Sequence, residues 1–226
     1  LYFALAGRPG VIFFGLAGLL IGWVYTGPPL RLANRGLGEL AVAVAFGLGI
    51  VCATTYVQLG QVPMLAVAAS LPVSILVALV LFINGFQDAA SDEQVAKRTA
   101  VVRLGLARAS RTYPLIAAAA VLSLVGLALA GLLPPAALAG LAGIPLFAQA
   151  ARVVRENYAR PMELAPANAY TVVGHLASCL ALAFGLAWAG FGALSLPLVA
   201  AAVAGLALRL YYNRSITRLG RAFYGV

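Results

Sequence analysis

The sequence predicts an all-α fold, a polytopic transmembrane helix bundle of about seven spans, and three observations predict it. The 226 residues are 63% hydrophobic and only 9% charged, against roughly 25% charge in a soluble domain. The apolar residues gather into runs of bilayer-crossing length. Fourteen of the fifteen basic residues fall in alternate connections between those runs. So little charge cannot cover a globular surface, so the solvent of this chain is lipid. The net charge of +9 does not indicate a nucleic-acid partner, because the charges lie between apolar spans and not on a polar domain.

In order, the runs are Val11–Tyr25, Leu40–Val57, Met64–Asn84, Pro114–Leu133, Ala136–Ala151, Tyr170–Gly190 and Leu194–Leu210. A spanning helix needs about 20 apolar residues, within a range of roughly 17–25, so the first and fifth runs are short. None alternates with a period of two, which excludes a β-barrel. Their richness in Ala, Gly and Leu predicts close helix packing in lipid. Cys52 and Cys179 lie mid-run and read as small buried hydrophobes. Trp23 and Trp188, near run ends, read as interfacial aromatics, as do Tyr56 and Gln58 at the end of the second run. His175, alone in an apolar run, is expected to hydrogen-bond to a neighbouring helix. Glu39 is expected to pair with Arg35.

The connections fix an orientation. Arg31 and Arg35 follow the first run; Lys97, Arg98, Arg103, Arg108 and Arg111 follow the third. Arg152, Arg155 and Arg160 follow the fifth, and Arg209, Arg214, Arg218 and Arg221 close the chain. With seven spans all four segments share one face, and only Arg8 falls opposite. The positive-inside rule makes the shared face cytoplasmic. The expectation is a multi-pass protein of the inner (plasma) membrane with its amino end outside and its carboxyl end in the cytoplasm. Residues 1–226 read as one helical domain. The chain begins with Leu1 and shows no signal peptide, so part of the protein is expected upstream.

Three of the six acidic residues lie together, in the cytoplasmic connection that follows the third run. Asp88 and Asp92 are four apart, so on a helical turn both carboxylates face one way, and Asn84 continues that face. Like charges so spaced suit a hard divalent cation. Mg²⁺ takes one or two carboxylates while substrate phosphates and water complete its shell. Lys97 and Arg98 follow, and basic groups beside a metal suit a diphosphate. The spacing alone does not separate this cradle from a solvated loop whose acids and bases neutralise one another.

The segment resembles the second Asp-rich motif of the UbiA superfamily of membrane prenyltransferases. The similarity is closest to the 1,4-dihydroxy-2-naphthoate prenyltransferases of the menaquinone pathway, whose pattern runs N-N-x-R-D-x-x-x-D-x-x-x-G-K-R-T-L-A-V-R-L-G. Asn84, Asp88, Asp92, Lys97, Arg98, Thr99, Val102, Arg103, Leu104 and Gly105 match it; Gly85, Gln87 and Ala96 depart from it. A second stretch, from Tyr25 through Pro28, Pro29, Leu30 and Arg31 to Arg35, Gly36 and Glu39, resembles the family's loop between its fourth and fifth helices. Some members carry a Lys where this chain has Pro29, and Tyr25 is given no role.

The resemblance implies a bundle that transfers an isoprenoid chain from its diphosphate to an aromatic acceptor, here a naphthoate or similar quinone precursor. Asp88 and Asp92 would then hold Mg²⁺ on the polyprenyl diphosphate. Asn84, Lys97 and Arg98 would contact its phosphates, with Arg31 and Arg35 approaching from the neighbouring loop. The tail would lie in an apolar groove open to the bilayer. The family's first Asp-rich motif does not occur in this sequence, which begins about where the family's third helix ends. Either about three helices precede it, or the chain is a non-catalytic, prenyltransferase-like subunit of a larger membrane complex.

Overall fold

A computed structural model describes residues 2–189 together with 200, 204, 205 and 209. The described residues contain helices and no strand, as lipid requires of a chain that must satisfy every backbone group internally. Six helices carry the architecture: α1 (Val11–Thr26), α2 (Gly38–Leu59), α3 (Met64–Gln94), α4 (Leu106–Leu129), α5 (Pro135–Asn157) and α6 (Pro161–Ala189). The last five are long and apolar enough to cross a membrane; α1, at 16 residues, is shorter. The expected seventh span, Leu194–Leu210, and the basic tail lie outside the described residues except at the positions just given.

The chain falls into two compact units, Leu1–Leu133 and Pro134–Val226. In the first, α3 is the central element and packs against both α2 and α4. The second turn of α2 widens into a π-helical stretch, Ala43–Gly49. It lies against α3 so closely that a Cβ on Gly47 would fall on Ser74, a small-on-small contact of the kind that holds helices together in lipid. At the opposite end of α2 the Tyr56 phenol oxygen accepts the Gly10 backbone N–H at 2.9 Å, and Arg8 Nε donates to the Val57 carbonyl at 3.2 Å. Tyr56 therefore ties α1 to α2. In the second unit α5 opens as a 3₁₀ stretch, Pro135–Gly143, that packs along α6. Gly185 sits on the Ala136 carbonyl, and Gly174 lies on the Phe147 ring.

Helix ends differ from the expected run ends where polar residues continue a helix past the bilayer. α3 runs on from Asn84 to Gln94, so Asp88 and Asp92 stand on the last turns of a helix and not in a connecting loop. α4 starts at Leu106, with Arg108 and Arg111 in its first turns and Pro114 inside it. Hydropathy marks the apolar stretch of such a helix, whereas its end is set by local backbone signals. Among the described residues His175 contacts Cys179 Sγ at 3.6 Å, one turn along its own helix. Both cysteines are free.

Gly47→Leu would push a side chain into Ser74 and force α2 from α3. It is expected to lower stability by about 1–3 kcal/mol, measured by thermal unfolding of the full-length protein in detergent.

Candidate functional site

The polar end of α3 is built by its own termination. The helix stops after Gln94, and Ala96 takes a left-handed backbone, φ +56°. The turn brings the chain back on itself: the Lys97 backbone N–H bonds the Asp92 carbonyl at 2.9 Å, and Lys97 Nζ reaches Asp92 Oδ1 at 2.9 Å. The Asp92 side chain is only 10% exposed and that of Lys97 36%. A carboxylate so placed needs a partner charge, and Lys97 supplies it. The next residues form a short helix, Ala100–Leu104, which lies on α3 with Val101 fully buried. Gly85 allows that approach, since a Cβ there would meet Val101 Cγ2 at 2.9 Å.

On α3 the residues facing this end are Leu81, Gly85, Asp88 and Asp92, a stripe spaced four, three and four residues apart. They line a narrow cleft of about 40 Å³. Lys97 and Thr99 close it from the returning segment, and Tyr25 at the end of α1, Ala33 in the link and Gly38 and Glu39 at the start of α2 close it from the other side. A wider opening of about 540 Å³ lies beside it, lined by Glu93, Ala96, Lys97, Arg98, Val102 and Arg103. Lys97 borders both. Three cations therefore edge the wider opening, and two carboxylates from α3 and one from α2 edge the cleft.

Of the residues expected in the site, Asp88, Asp92 and Lys97 meet in the cleft, while Arg98 lines only the wider opening. Asn84 stands one turn before Asp88 and is absent from the cleft-lining stripe, where Gly85 takes the place. Arg31 and Arg35 line neither space, and an Arg35 terminal nitrogen donates to the Pro29 carbonyl at 3.1 Å. Glu39 does not pair with Arg35: the ion pairs among the described residues are Lys97–Asp92 and Arg160–Glu163. Its carboxylate instead lies close to its own backbone N–H and to that of Ala100.

Tyr25, Glu39 and Arg103 are the functional candidates that reading the chain residue by residue passed over. Arg103 packs its side chain on Gly36, which holds φ +71° at the turn before α2. Their signal was present, since all three fall inside the two stretches that resemble one family. What was missing was the pairing of those stretches in space. An apolar groove of about 460 Å³ also runs along α2 and α3, lined by Leu40, Val44, Leu48, Val67, Leu71 and Leu127 among others. Leu40, at its end, adjoins Glu39.

Fold and site together define a multi-pass helical membrane protein that collects acids and bases at the polar end of one long apolar helix. Residues 1–172 match the UbiA prenyltransferase family, and the chain belongs to that family. It is similar to the 1,4-dihydroxy-2-naphthoate octaprenyltransferase of Mycobacterium tuberculosis, 36% identical over 196 residues, which cover 86% of this chain and 64% of the relative. It is also similar to the 2-carboxy-1,4-naphthoquinone phytyltransferase of Synechocystis sp., 30% identical over 178 residues, 77% of this chain and 57% of the relative. A third relative is the 1,4-dihydroxy-2-naphthoate octaprenyltransferase of Escherichia coli, 31% identical over 185 residues, 80% of this chain and 59% of the relative. The chain thus spans between 57% and 64% of the length of these curated relatives. No solved structure matches it.

Two substitutions test how the site is held. Ala96→Gly relieves a left-handed backbone at an exposed position and should raise stability by about 1 kcal/mol. The family pattern carries Gly at this place. Lys97→Met strips the nearly buried Asp92 of its cation and should lower stability by about 1–2 kcal/mol. Thermal unfolding of both variants in detergent checks the two signs.

Proposed function

We propose that this protein transfers a polyprenyl group from its diphosphate to a hydroxylated aromatic acceptor, 1,4-dihydroxy-2-naphthoate or a similar quinone precursor, within the membrane. The observation that carries the reading is the cleft in which Asp88, Asp92 and Lys97 meet beside an opening edged by Arg98 and Arg103. The names of the three relatives support the acceptor class.

Mg²⁺ fits the donors present. Among the described residues no group of three or more His, Cys, Asp or Glu is gathered to hold a metal alone. Two carboxylates on one helical stripe are what Mg²⁺ takes from a protein when substrate phosphates supply the rest. Asp88 and Asp92 would hold it, and when bound it stabilises the diphosphate as charge develops on the leaving oxygen.

The chain's own groups do the rest. Lys97 stands between cleft and opening, so its ammonium passes from Asp92 to a phosphate oxygen with a change of rotamer. Arg98 and Arg103 present guanidinium groups where the diphosphate would lie, and such forks match phosphate geometry. The groove along α2 and α3 offers the isoprenoid tail an apolar bed that ends near the charged cleft. The ring carbon of the acceptor attacks the allylic carbon, the carbon–oxygen bond breaks, and its electron pair departs on the diphosphate. In this reading the basic connections and the α3 terminus face the cytoplasm and the amino end faces outward.

Transfer of a radiolabelled prenyl group from geranylgeranyl diphosphate to 1,4-dihydroxy-2-naphthoate, in membranes carrying the full-length protein, tests the reading. Asp88→Asn and Asp92→Asn should each reduce transfer about 100-fold or more, and chelation of divalent metal should abolish it until Mg²⁺ is restored. Full activity in either variant would remove the Asp pair from the chemistry. Absence of transfer by the wild type with every acceptor of this class would favour the non-catalytic subunit. Lys97→Ala and Arg103→Ala should act chiefly on the donor, raising its KM by about tenfold each.

A further inference from the structure

The cleft has a second wall that the transfer of the prenyl group, as just described, does not use. Gly38 and Glu39 open α2 there, Tyr25 closes α1, and Thr99 faces them from the returning segment. Thr99 Oγ1 is buried and has no hydrogen-bond partner among the described residues. A buried hydroxyl without a partner is costly, so this cleft holds a polar position that the protein itself leaves open. Its volume of about 40 Å³ is close to that of one water molecule, about 30 Å³. A hydroxyl group fits it.

Glu39 is the third carboxylate of the cleft, and the donor side has no need of it. It does not join Asp88 and Asp92 in a group able to hold a metal. It is half-buried, lies close to its own backbone N–H and that of Ala100, and is within the electrostatic reach of Lys97. Tyr25 lies within the field of Glu39, Asp92 and Lys97, which places its phenol at the same cleft.

The geometry points to Glu39 as the general base that takes the proton from the acceptor's ring hydroxyl, with Thr99 completing the hydroxyl's hydrogen bonds. The assignment rests on the transferase reading above. The O–H bond breaks, its proton goes to a Glu39 carboxylate oxygen, and its electron pair stays on the acceptor oxygen and feeds the ring. The ring carbon then bonds the allylic carbon as the diphosphate leaves with its own electron pair. That carbon then gives its proton to the released diphosphate, or loses its carboxylate as carbon dioxide, and the phenolate so regenerated takes the hydroxyl proton back from Glu39. A base supplied this way is worth about 10²–10⁴-fold.

The test uses membranes carrying the full-length protein, geranylgeranyl diphosphate, and two acceptors: 1,4-dihydroxy-2-naphthoate and a ring-fluorinated analogue whose hydroxyl is already ionised at the assay pH. With Glu39→Gln, kcat on the first acceptor should fall about 100-fold, while on the ionised analogue it should stay within about tenfold of wild type, with the donor KM unchanged. Equal losses on both acceptors, or a loss confined to the donor KM, would overturn the assignment and leave Glu39 a positioning group for Ala100. Should Glu39→Gln fail to accumulate, Glu39→Asp carries the same test, because its deficit must also shrink on the ionised acceptor; an equal deficit overturns it. Wild-type turnover separates the two readings. No transfer by the wild type removes the transferase reading and Glu39's role with it, whereas turnover with equal losses removes Glu39's role alone.

Discussion

The site depends on one ion pair. Asp92 is a nearly buried carboxylate at the end of an apolar helix, and such a charge persists only with a cation at hand. Lys97 provides it from five residues away, a distance that a continuing helix would not close to 2.9 Å. The helix must therefore end between them, and it does so through the left-handed backbone at Ala96. From that turn follow the return of the chain, the seating of Val101 over Gly85 and the entry of Thr99 into the cleft.

The ammonium on Asp92 also makes the acids of the cleft compatible with one another. Lys97 neutralises a carboxylate that would otherwise repel Asp88 and Glu39 across a narrow space.

Away from the polar end, lipid removes the hydrophobic drive between helices, and close contact must take its place. Both units use small residues for it. Gly47 meets Ser74 in the first, and Gly174 and Gly185 meet Phe147 and Ala136 in the second. In the first unit this closeness holds α2 along α3, and that in turn holds the α1–α2 link, with Tyr25 and Glu39, opposite Asp88. The apolar packing and the charged cleft are parts of one construction.

Taken by itself, the sequence determined the helical, lipid-embedded class, because a chain with 9% charge has no other solvent. It also placed six of the runs on helices, and it marked out Asp88 and Asp92, polar and four apart on one helical face, with Lys97 after them. It did not give the end of α3. Hydropathy falls at Asn84 when the helix leaves apolar surroundings, but the backbone continues until Ala96 breaks it. Nor did it separate Glu39 from its near neighbour Arg35, since nearness along the chain says nothing of which way a carboxylate turns. Only the tertiary structure brought Glu39 and Tyr25 to Asp88 and Asp92, which lie far along the chain from both. The physical reason is that such a meeting is fixed by how tightly α2 lies on α3, a property of two surfaces at once and of neither run of residues alone.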